Sequence, residues 1–244
     1  MDCDGRKVLV IIPAHNEEGR IGGVVSSVRK VLPQAGVVVI DDCSTDSTGR
    51  EAAAAGAAVL THAVNLGYGA GLETGYIYAV RRGYECVIQM DGDGQHPAGE
   101  LPALLAPVTN GDADLVLGSR YLAAGCGYRT PFLRRLGQKI FGGIVQVLAR
   151  ASVTDPTSGF QCLGARALRL FSSGVFPADF PDADVLLMAH YAGLKVVEVP
   201  VRMLQRNEGV SMHSGLKPVY YGMKMFLSIF MVVLSCRRWK KHVS

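Results

Sequence analysis

The first forty residues carry two apolar rhythms in succession. Lys7 to Ile12 is a short, β-branched run closed by Pro13, and Glu18 to Leu32 then sets Ile21, Val24, Val25, Val28 and Leu32 at helical spacing. That pattern predicts a strand, a loop and an amphipathic helix. The unit recurs: Val37 to Ile40 reads as a buried strand, Ser47 as the cap of a helix running through Ala55, and Ala58 to Leu60 as a third strand. Ala70 to Arg82 reads as helix, Cys86 to Met90 as strand, Pro97 to Val108 as a helix opened by proline, and Leu115 to Leu117 as strand. Strands alternating with helices predict an α/β fold whose mainly parallel sheet is flanked by helices on both faces. Beyond Gly118 the rhythm loosens. Pro131 to Arg150 reads as helix, Thr157 to Leu163 as extended chain, Ala183 to Ala192 as helix and Val196 to Leu204 as extended chain. The expected organisation is one domain over residues 1–217 and a C-terminal tail over 218–244.

In such sheets ligands bind beyond the carboxyl ends of the strands, which directs attention to the loops beginning at Pro13, Asp41, Asn65 and Asp91. The sharpest signal is Gln89-Met90-Asp91-Gly92-Asp93-Gly94-Gln95-His96, where two carboxylates two residues apart leave a buried strand. Both can face one cation. Hard oxygen ligands suit Mg²⁺ or Mn²⁺, which keep positions open for phosphate oxygens. A pair of turn aspartates flanking glycine is the plain structural alternative. Asp41-Asp42-Cys43-Ser44-Thr45-Asp46 and Pro13-Ala14-His15-Asn16-Glu17 close two further strands, so three polar strand ends converge on one crevice. Carboxylates there can accept from base N–H groups and ribose hydroxyls. Asp46 and Ser47 are better read as helix caps. The glycines of Asn65-Leu66-Gly67-Tyr68-Gly69-Ala70-Gly71 fail the GxGxxG spacing, which argues against a dehydrogenase, and no GxxxxGK[ST] occurs, which argues against a P-loop enzyme.

Composition sharpens the picture in two ways. Hydrophobic residues make up 49% and charged residues 19% of the 244 positions, too apolar for disorder and oily for a soluble enzyme, so some surface is expected to meet lipid or protein. The formal charge of +4 hides two basic clusters: Arg129, Arg134, Arg135 and Lys139, and then Arg237, Arg238, Lys240 and Lys241. Such patches suit phosphate-bearing partners, and with no nucleic-acid-binding motif a nucleic acid is not expected. The six scattered cysteines read as reduced thiols. The polar start, Met1 to Lys7, predicts no signal peptide and a cytoplasmic protein.

Taken together, Pro13, Ala14, Asn16, Glu17, Asp41, Asp42, Ser44, Asp46, Asn65, Gly67, Gly69, Asp91, Asp93, Gln95 and His96 resemble the family 2 glycosyltransferases, and within them the polyprenyl-phosphate (dolichyl-phosphate) mannose and glucose synthases. The resemblance covers about residues 7–210 and implies a GT-A fold and an inverting hexosyl transfer from a GDP-mannose or UDP-glucose type of donor to a polyprenyl phosphate. It implies Pro13, Ala14, Asn16, Glu17, Asp41, Asp42, Asn65, Gly67 and Asp91 around the nucleotide, and Asp91, Asp93 and Gln95 around the metal and phosphates. Gly118-Ser119-Arg120, Asp155 to Phe160 and Gln205 to Ser211 resemble later motifs of the same family. Arginine forks bind phosphate bidentately, so Arg120, Arg134 and Arg206 are candidates for the acceptor phosphate and donor diphosphate, with Arg135 able to replace Arg134.

Two departures stand out. Ser211 is followed by Met212 and His213 where the family often has lysine, so one phosphate contact is expected to be either lost or moved to Lys217. Asp184 stands where the family usually has glutamate, and it is the candidate general base for a hydroxyl acceptor. From Met225 to Cys236 the chain is almost wholly apolar before Arg237-Arg238-Trp239-Lys240-Lys241. Twelve helical residues reach only about 18 Å, against a hydrocarbon core of about 30 Å. The tail is therefore expected to lie on the inner face of a membrane or on a small membrane-protein partner, with core packing or a homo-oligomer contact as alternatives. Competing functions are transfer to a sugar hydroxyl in polysaccharide or glycolipid synthesis, and a non-catalytic nucleotide-sugar-binding subunit. The first is disfavoured by the absence of a late Gln-x-x-Arg-Trp element and the second by the intact Asp91 and Asp93.

Overall fold

The computed structural model describes residues 5–122, 143, 148, 153–177, 181–204, 217–235 and 239. Its strands are β1 (Val8–Ala14), β2 (Gly36–Asp41), β3 (Ala58–Thr61), β4 (Cys86–Gln89), β5 (Leu115–Ser119), β6 (Gln161–Leu163) and β7 (Val196–Pro200). The helices are α1 (Ile21–Val31), α2 (Thr48–Ala54), α3 (Tyr68–Arg81), α4 (Leu101–Thr109), α5 (Ala165–Phe171), α6 (Ala183–Tyr191) and α7 (Lys217–Leu234). The strands form one sheet in the order β3-β2-β1-β4-β6-β5-β7. Every neighbouring pair is parallel except those of β6, which runs antiparallel to both β4 and β5. The extended run at 157–163 carries no mark of that direction, since a three-residue strand buried on both faces shows no alternation to read.

Chain order proceeds outward from β1 through β2 to β3 and then returns to β4 on the other side of β1. The reversal opens a crevice at the carboxyl ends of β1 and β4, the usual ligand position in open α/β sheets. Alternation along β1 explains the layers: Leu9 and Ile11 enter one core, and Val8, Val10 and Ile12 the other. The second core is closed by α1, which buries Ile21, Val24, Val25 and Val28 as its spacing predicts, and by α4. The first is closed by α3, α5, α6 and α7, where Tyr76, Phe171 and Phe176 meet with ring centroids 5.2–5.9 Å apart.

Helix α5 went unanticipated because its seven residues span too few turns for periodicity to stand out. Helix α7 begins at Lys217, well before the apolar run, with Pro218 tolerated in its first turn. Its inner face sends Ile229 and Val232 into the core beside α6, and Trp239 follows, its indole N–H donating to Val232 O at 3.0 Å. The outer face is different. Phe226, Leu227, Phe230, Met231 and Leu234 are 52–64% exposed. No described helix is long and apolar enough to cross a membrane. The helix expected over 131–150 lies outside the described residues apart from Gly143 and Leu148, both helical.

Candidate active site

The loop after β1 is tied to the loop after β2 rather than left free. Ser44 Oγ accepts from Asn16 N–H at 3.0 Å, Asn16 Oδ1 accepts from Thr45 N–H at 2.9 Å, and Thr48 Oγ1 accepts from Glu17 N–H at 2.7 Å. Glu18 N–H donates to Asp46 Oδ2 at 3.1 Å and Gly19 N–H to Glu51 Oε2 at 2.8 Å. Asn16 and Cys43 sit at φ of 56° and 60°, left-handed positions that residues with side chains rarely adopt and that the cross-loop bonds hold in place. Asp46 caps α2 by accepting from Thr48 N–H at 2.9 Å, whereas Ser47 makes no capping bond. The Glu17 carboxylate pairs with Arg20 at 2.7 Å. Asp41 is almost fully buried and accepts from Ser44 N–H at 3.0 Å. Pro13 and Ala14 end β1 at the crevice floor.

Asp42 holds the third loop. Its Oδ1 accepts from Leu66 N–H and its Oδ2 from Gly67 N–H, both at 2.8 Å, while His62 Nδ1 lies 2.8 Å from Oδ1. Burial alone would raise its pKa. The bonds from Leu66, His62 and Gly67 outweigh burial and leave the carboxyl below its ordinary value. Asn65 donates to Asp42 O at 3.4 Å, and Gly67, at φ 95°, turns the chain into α3. Asp42 thus shapes the crevice by fixing the Asn65–Gly67 backbone.

At the end of β4, Asp93 Oδ1 accepts from Gln95 N–H at 3.0 Å, and the Gln95 side-chain amide bonds Asp93 Oδ2. Asp91 N–H donates to His96 Nδ1 at 3.0 Å, so His96 carries its proton on Nε2, 3.8 Å from Asp91 Oδ2. The His96 ring stacks on Phe160 with centroids 4.6 Å apart, and burial lowers its pKa against the opposing pull of Asp91 and Asp93. Asp91 Oδ1 accepts from Tyr68 at 2.8 Å, and burial, reinforced by the Asp91 charge, raises that phenol well above its ordinary pKa. Gly92 permits the turn to pass close to β1, since a Cβ there would stand 3.4 Å from Pro13 O. Among the described residues no three His, Cys, Asp or Glu side chains form a ready-made metal cage.

Arg120, at the end of β5, is buried, and its fork closes on the equally buried Asp155, with Nε to Oδ2 at 2.6 Å and Nη2 to Oδ1 at 3.4 Å. Asp155 N–H donates to Glu198 Oε1 at 2.9 Å and Thr154 N–H to Glu198 Oε2 at 2.8 Å, joining this pair to β7. Beyond β7, Leu204 N–H donates to Gln95 O at 2.9 Å, so the chain returns to the Asp93 turn. Asp184 lies at the start of α6 with no exposed surface. It accepts from Ser228 of α7 and from the N–H groups of Asp182 and Val185 at 3.0 and 2.9 Å, and burial raises its pKa in spite of these bonds. Arg134, Arg135 and Arg206 lie outside the described residues. Sequence reasoning passed over Tyr68, His62 and the role of Asp155 as a partner. Nothing in spacing marks a tyrosine one residue past a turn glycine as a neighbour of Asp91, more than twenty residues away.

The family described as glycosyl transferase family 2 matches residues 9–172, more than half of the chain. This chain belongs to glycosyl transferase family 2. It is 33% identical over 218 residues to the polyprenol monophosphomannose synthase of Mycolicibacterium smegmatis, covering 86% of this chain and 82% of that one. It is 30% identical over 216 residues to the undecaprenyl-phosphate mannosyltransferase of Micrococcus luteus, covering 86% and 88%. Among solved structures, glucosyl-3-phosphoglycerate synthase from Mycobacterium tuberculosis in complex with Mn²⁺ and UDP-glucose superposes with a TM-score of 0.70 at 22% identity, covering 93% of this chain and 80% of that one. The shared architecture is the GT-A glycosyltransferase fold. Within this family 2 chain, the matched segment contains the loops after β1, β2, β3 and β4 together with the Arg120–Asp155 pair.

Proposed function

We propose that the chain is an inverting glycosyltransferase that moves a hexose from a nucleoside diphosphate sugar to a polyprenyl phosphate. The observation that carries this reading is the Asp91–Gln95 turn at the β1/β4 switch point, framed by the tied loops after β1 and β2. The names of the two mannosyl-transferring relatives support a lipid phosphate as acceptor and favour mannose, from GDP-mannose, over glucose from UDP-glucose. Pro13, Ala14, Asn16, Glu17, Asp41, Asn65 and Gly67 line the nucleotide side, with Asp42 holding the loop that carries the last two. Arg134 and Arg206 serve the phosphates.

A divalent cation suits the oxygens of Asp91, Asp93 and Gln95, because the Asp91 side chain keeps 31% of its surface exposed. Two carboxylates without a full protein cage match a hard cation that takes its remaining ligands from water and diphosphate. Such an ion supplies charge stabilisation for the departing nucleoside diphosphate. The Mn²⁺ in the related synthase supports its presence here.

A phosphate monoester has a second pKa near 6, so at neutral pH it attacks without a general base. The burial of Asp184 under Ser228 supports this acceptor over a sugar hydroxyl. Incubating the purified protein with labelled GDP-mannose, UDP-glucose and other donors, each with polyprenyl phosphate or a sugar acceptor, tests the reading. Transfer to sugar hydroxyls with none to polyprenyl phosphate refutes it. The exposed outer face of α7, followed in sequence by Arg237, Arg238, Lys240 and Lys241, supports docking on an anionic lipid surface, which brings the crevice to its acceptor. Flotation with anionic vesicles should be lost in Leu227→Glu/Phe230→Glu. Unchanged flotation would assign that face to another partner.

A further inference from the structure

A continuous hydrogen-bonded chain runs through the first core to the crevice. The Tyr76 hydroxyl donates to Gln89 Oε1 at 2.5 Å, Gln89 Nε2 donates to the Tyr68 hydroxyl oxygen at 3.3 Å, and Tyr68 donates to Asp91 Oδ1 at 2.8 Å. Each link has one possible direction, because the Gln89 carbonyl can only accept, its amide can only donate, and a carboxylate can only accept. Tyr76 and Gln89 are buried, so neither end of their bond can trade its partner for water without a rearrangement. The chain therefore points the Tyr68 proton at Asp91.

The surrounding backbone is cut to the same shape. A Cβ at Gly159 would stand 2.9 Å from the Tyr68 hydroxyl and 3.5 Å from both Asp91 oxygens, so the 155–159 segment can lie against this pair only with glycine there. On its other side Asp91 is held through its backbone N–H by His96 Nδ1. Asp91 Oδ2 remains the less encumbered oxygen, with His96 Nε2 no nearer than 3.8 Å.

We propose that Tyr68 is a positioning residue for the donor site: backed by Gln89 and Tyr76, its hydroxyl occupies Asp91 Oδ1 and presents Oδ2 alone to the cation and diphosphate. The inference rests on the reading of Asp91 as part of the donor site. A carboxylate fixed in one rotamer offers a single oxygen at a defined place. A free one spends part of its time turned away or chelating through both oxygens, and binding then carries the cost of ordering it.

The test is calorimetric binding of GDP and of UDP in the presence of Mn²⁺, scored on whichever binds the wild-type protein more tightly, together with melting temperature. Four proteins are compared: wild type, Asp91→Asn, Tyr68→Phe and Gln89→Leu. Asp91→Asn should weaken Mn²⁺-dependent binding most. Tyr68→Phe, which keeps the ring in its packing, should weaken it about tenfold, the size of one hydrogen bond to a charged group, while melting within a few degrees of wild type. Gln89→Leu should act in the same direction and add little when combined with Tyr68→Phe, since both cut one chain. With the donor sugar, KM should rise in Tyr68→Phe more than kcat falls. Wild-type affinity in Tyr68→Phe together with weakened Asp91→Asn overturns the role of Tyr68 alone. Wild-type affinity in Asp91→Asn overturns the donor-site reading and this inference with it.

Discussion

The Arg120–Asp155 pair gives the most discriminating experiment on this protein. Sequence reasoning made Arg120 a phosphate ligand, whereas in the fold its guanidinium forks onto a carboxylate with no exposed surface. Removing one member of a buried pair leaves the other charge uncompensated, at a cost of about 3–5 kcal/mol. Arg120→Leu removes the counter-charge of the buried Asp155 carboxylate, which keeps the main-chain N–H at position 120 as a donor at 3.3 Å, while Glu198 is itself an acid that accepts from the Asp155 N–H. Asp155→Leu takes away the carboxylate onto which the buried Arg120 guanidinium forks. The double variant Arg120→Leu/Asp155→Leu removes both charges, so it should cost less than either single variant, an outcome that requires a coupling energy above the roughly 3–5 kcal/mol of one single change. For a chain of this size each kcal/mol moves the melting temperature by about 2–4 °C, which places each single variant roughly 6–20 °C below wild type and the double variant between. Urea unfolding, followed by circular dichroism at neutral pH, measures the cycle, and turnover is measured on every variant that remains folded. Single and double variants that all melt with wild type while losing turnover would falsify the structural role and return Arg120 to the phosphates.

Three further outcomes follow from the site. Asp93→Ala should abolish most Mn²⁺- or Mg²⁺-dependent binding of the nucleoside diphosphate, because Asp91 and Gln95 cannot complete the set, and calorimetry showing equal affinity with and without chelator would remove the metal from the scheme. Asp42→Asn should cost about 2–4 kcal/mol and raise the donor KM, since an amide NH₂ must face one of the Leu66 or Gly67 N–H groups; a variant as stable as wild type would show that the loop needs no such tie. Asp184 has its pKa raised on folding, so the folded state holds the proton more tightly and stability falls as pH rises from the ordinary carboxylate value through the raised one. Asp184→Asn should flatten that part of the stability–pH curve and keep much of the turnover, whereas a near-complete loss of turnover at unchanged stability would restore a general base and a hydroxyl acceptor.

Much of this architecture is legible in the chain as written. The helical spacing of Ile21, Val24, Val25 and Val28 places α1, because burial of one face dictates that period. The β-branched runs place β1 and β2 for a similar reason: strands buried on both faces leave continuous apolar sequence. Asp91, Asp93 and Gln95 announce themselves because their chemistry is local, three side chains on one turn. Strand direction is less accessible. The antiparallel insertion of β6 between β4 and β5 depends on how distant segments close the sheet, and three residues carry no record of it. The apolar run at 225–236 reads equally as lipid-facing or core-facing, and only packing divides it, sending Ile229 and Val232 inward beside α6 while Phe230 and Met231 stay outside.

The same division holds within the site. The sequence by itself determined which residue types stand at the strand ends, and hence the class of chemistry, because polar residues closing buried strands are costly unless they are used. Tertiary structure alone decided their partners. Tyr68 reaches Asp91, His62 reaches Asp42, Arg120 reaches Asp155 and Ser228 reaches Asp184 across sequence separations of 20 to 44 residues. Hydrogen bonds of about 3 Å require two side chains to be brought together from distant parts of the chain, and that placement exists only once the sheet has set its strand order and the helices have packed on its faces.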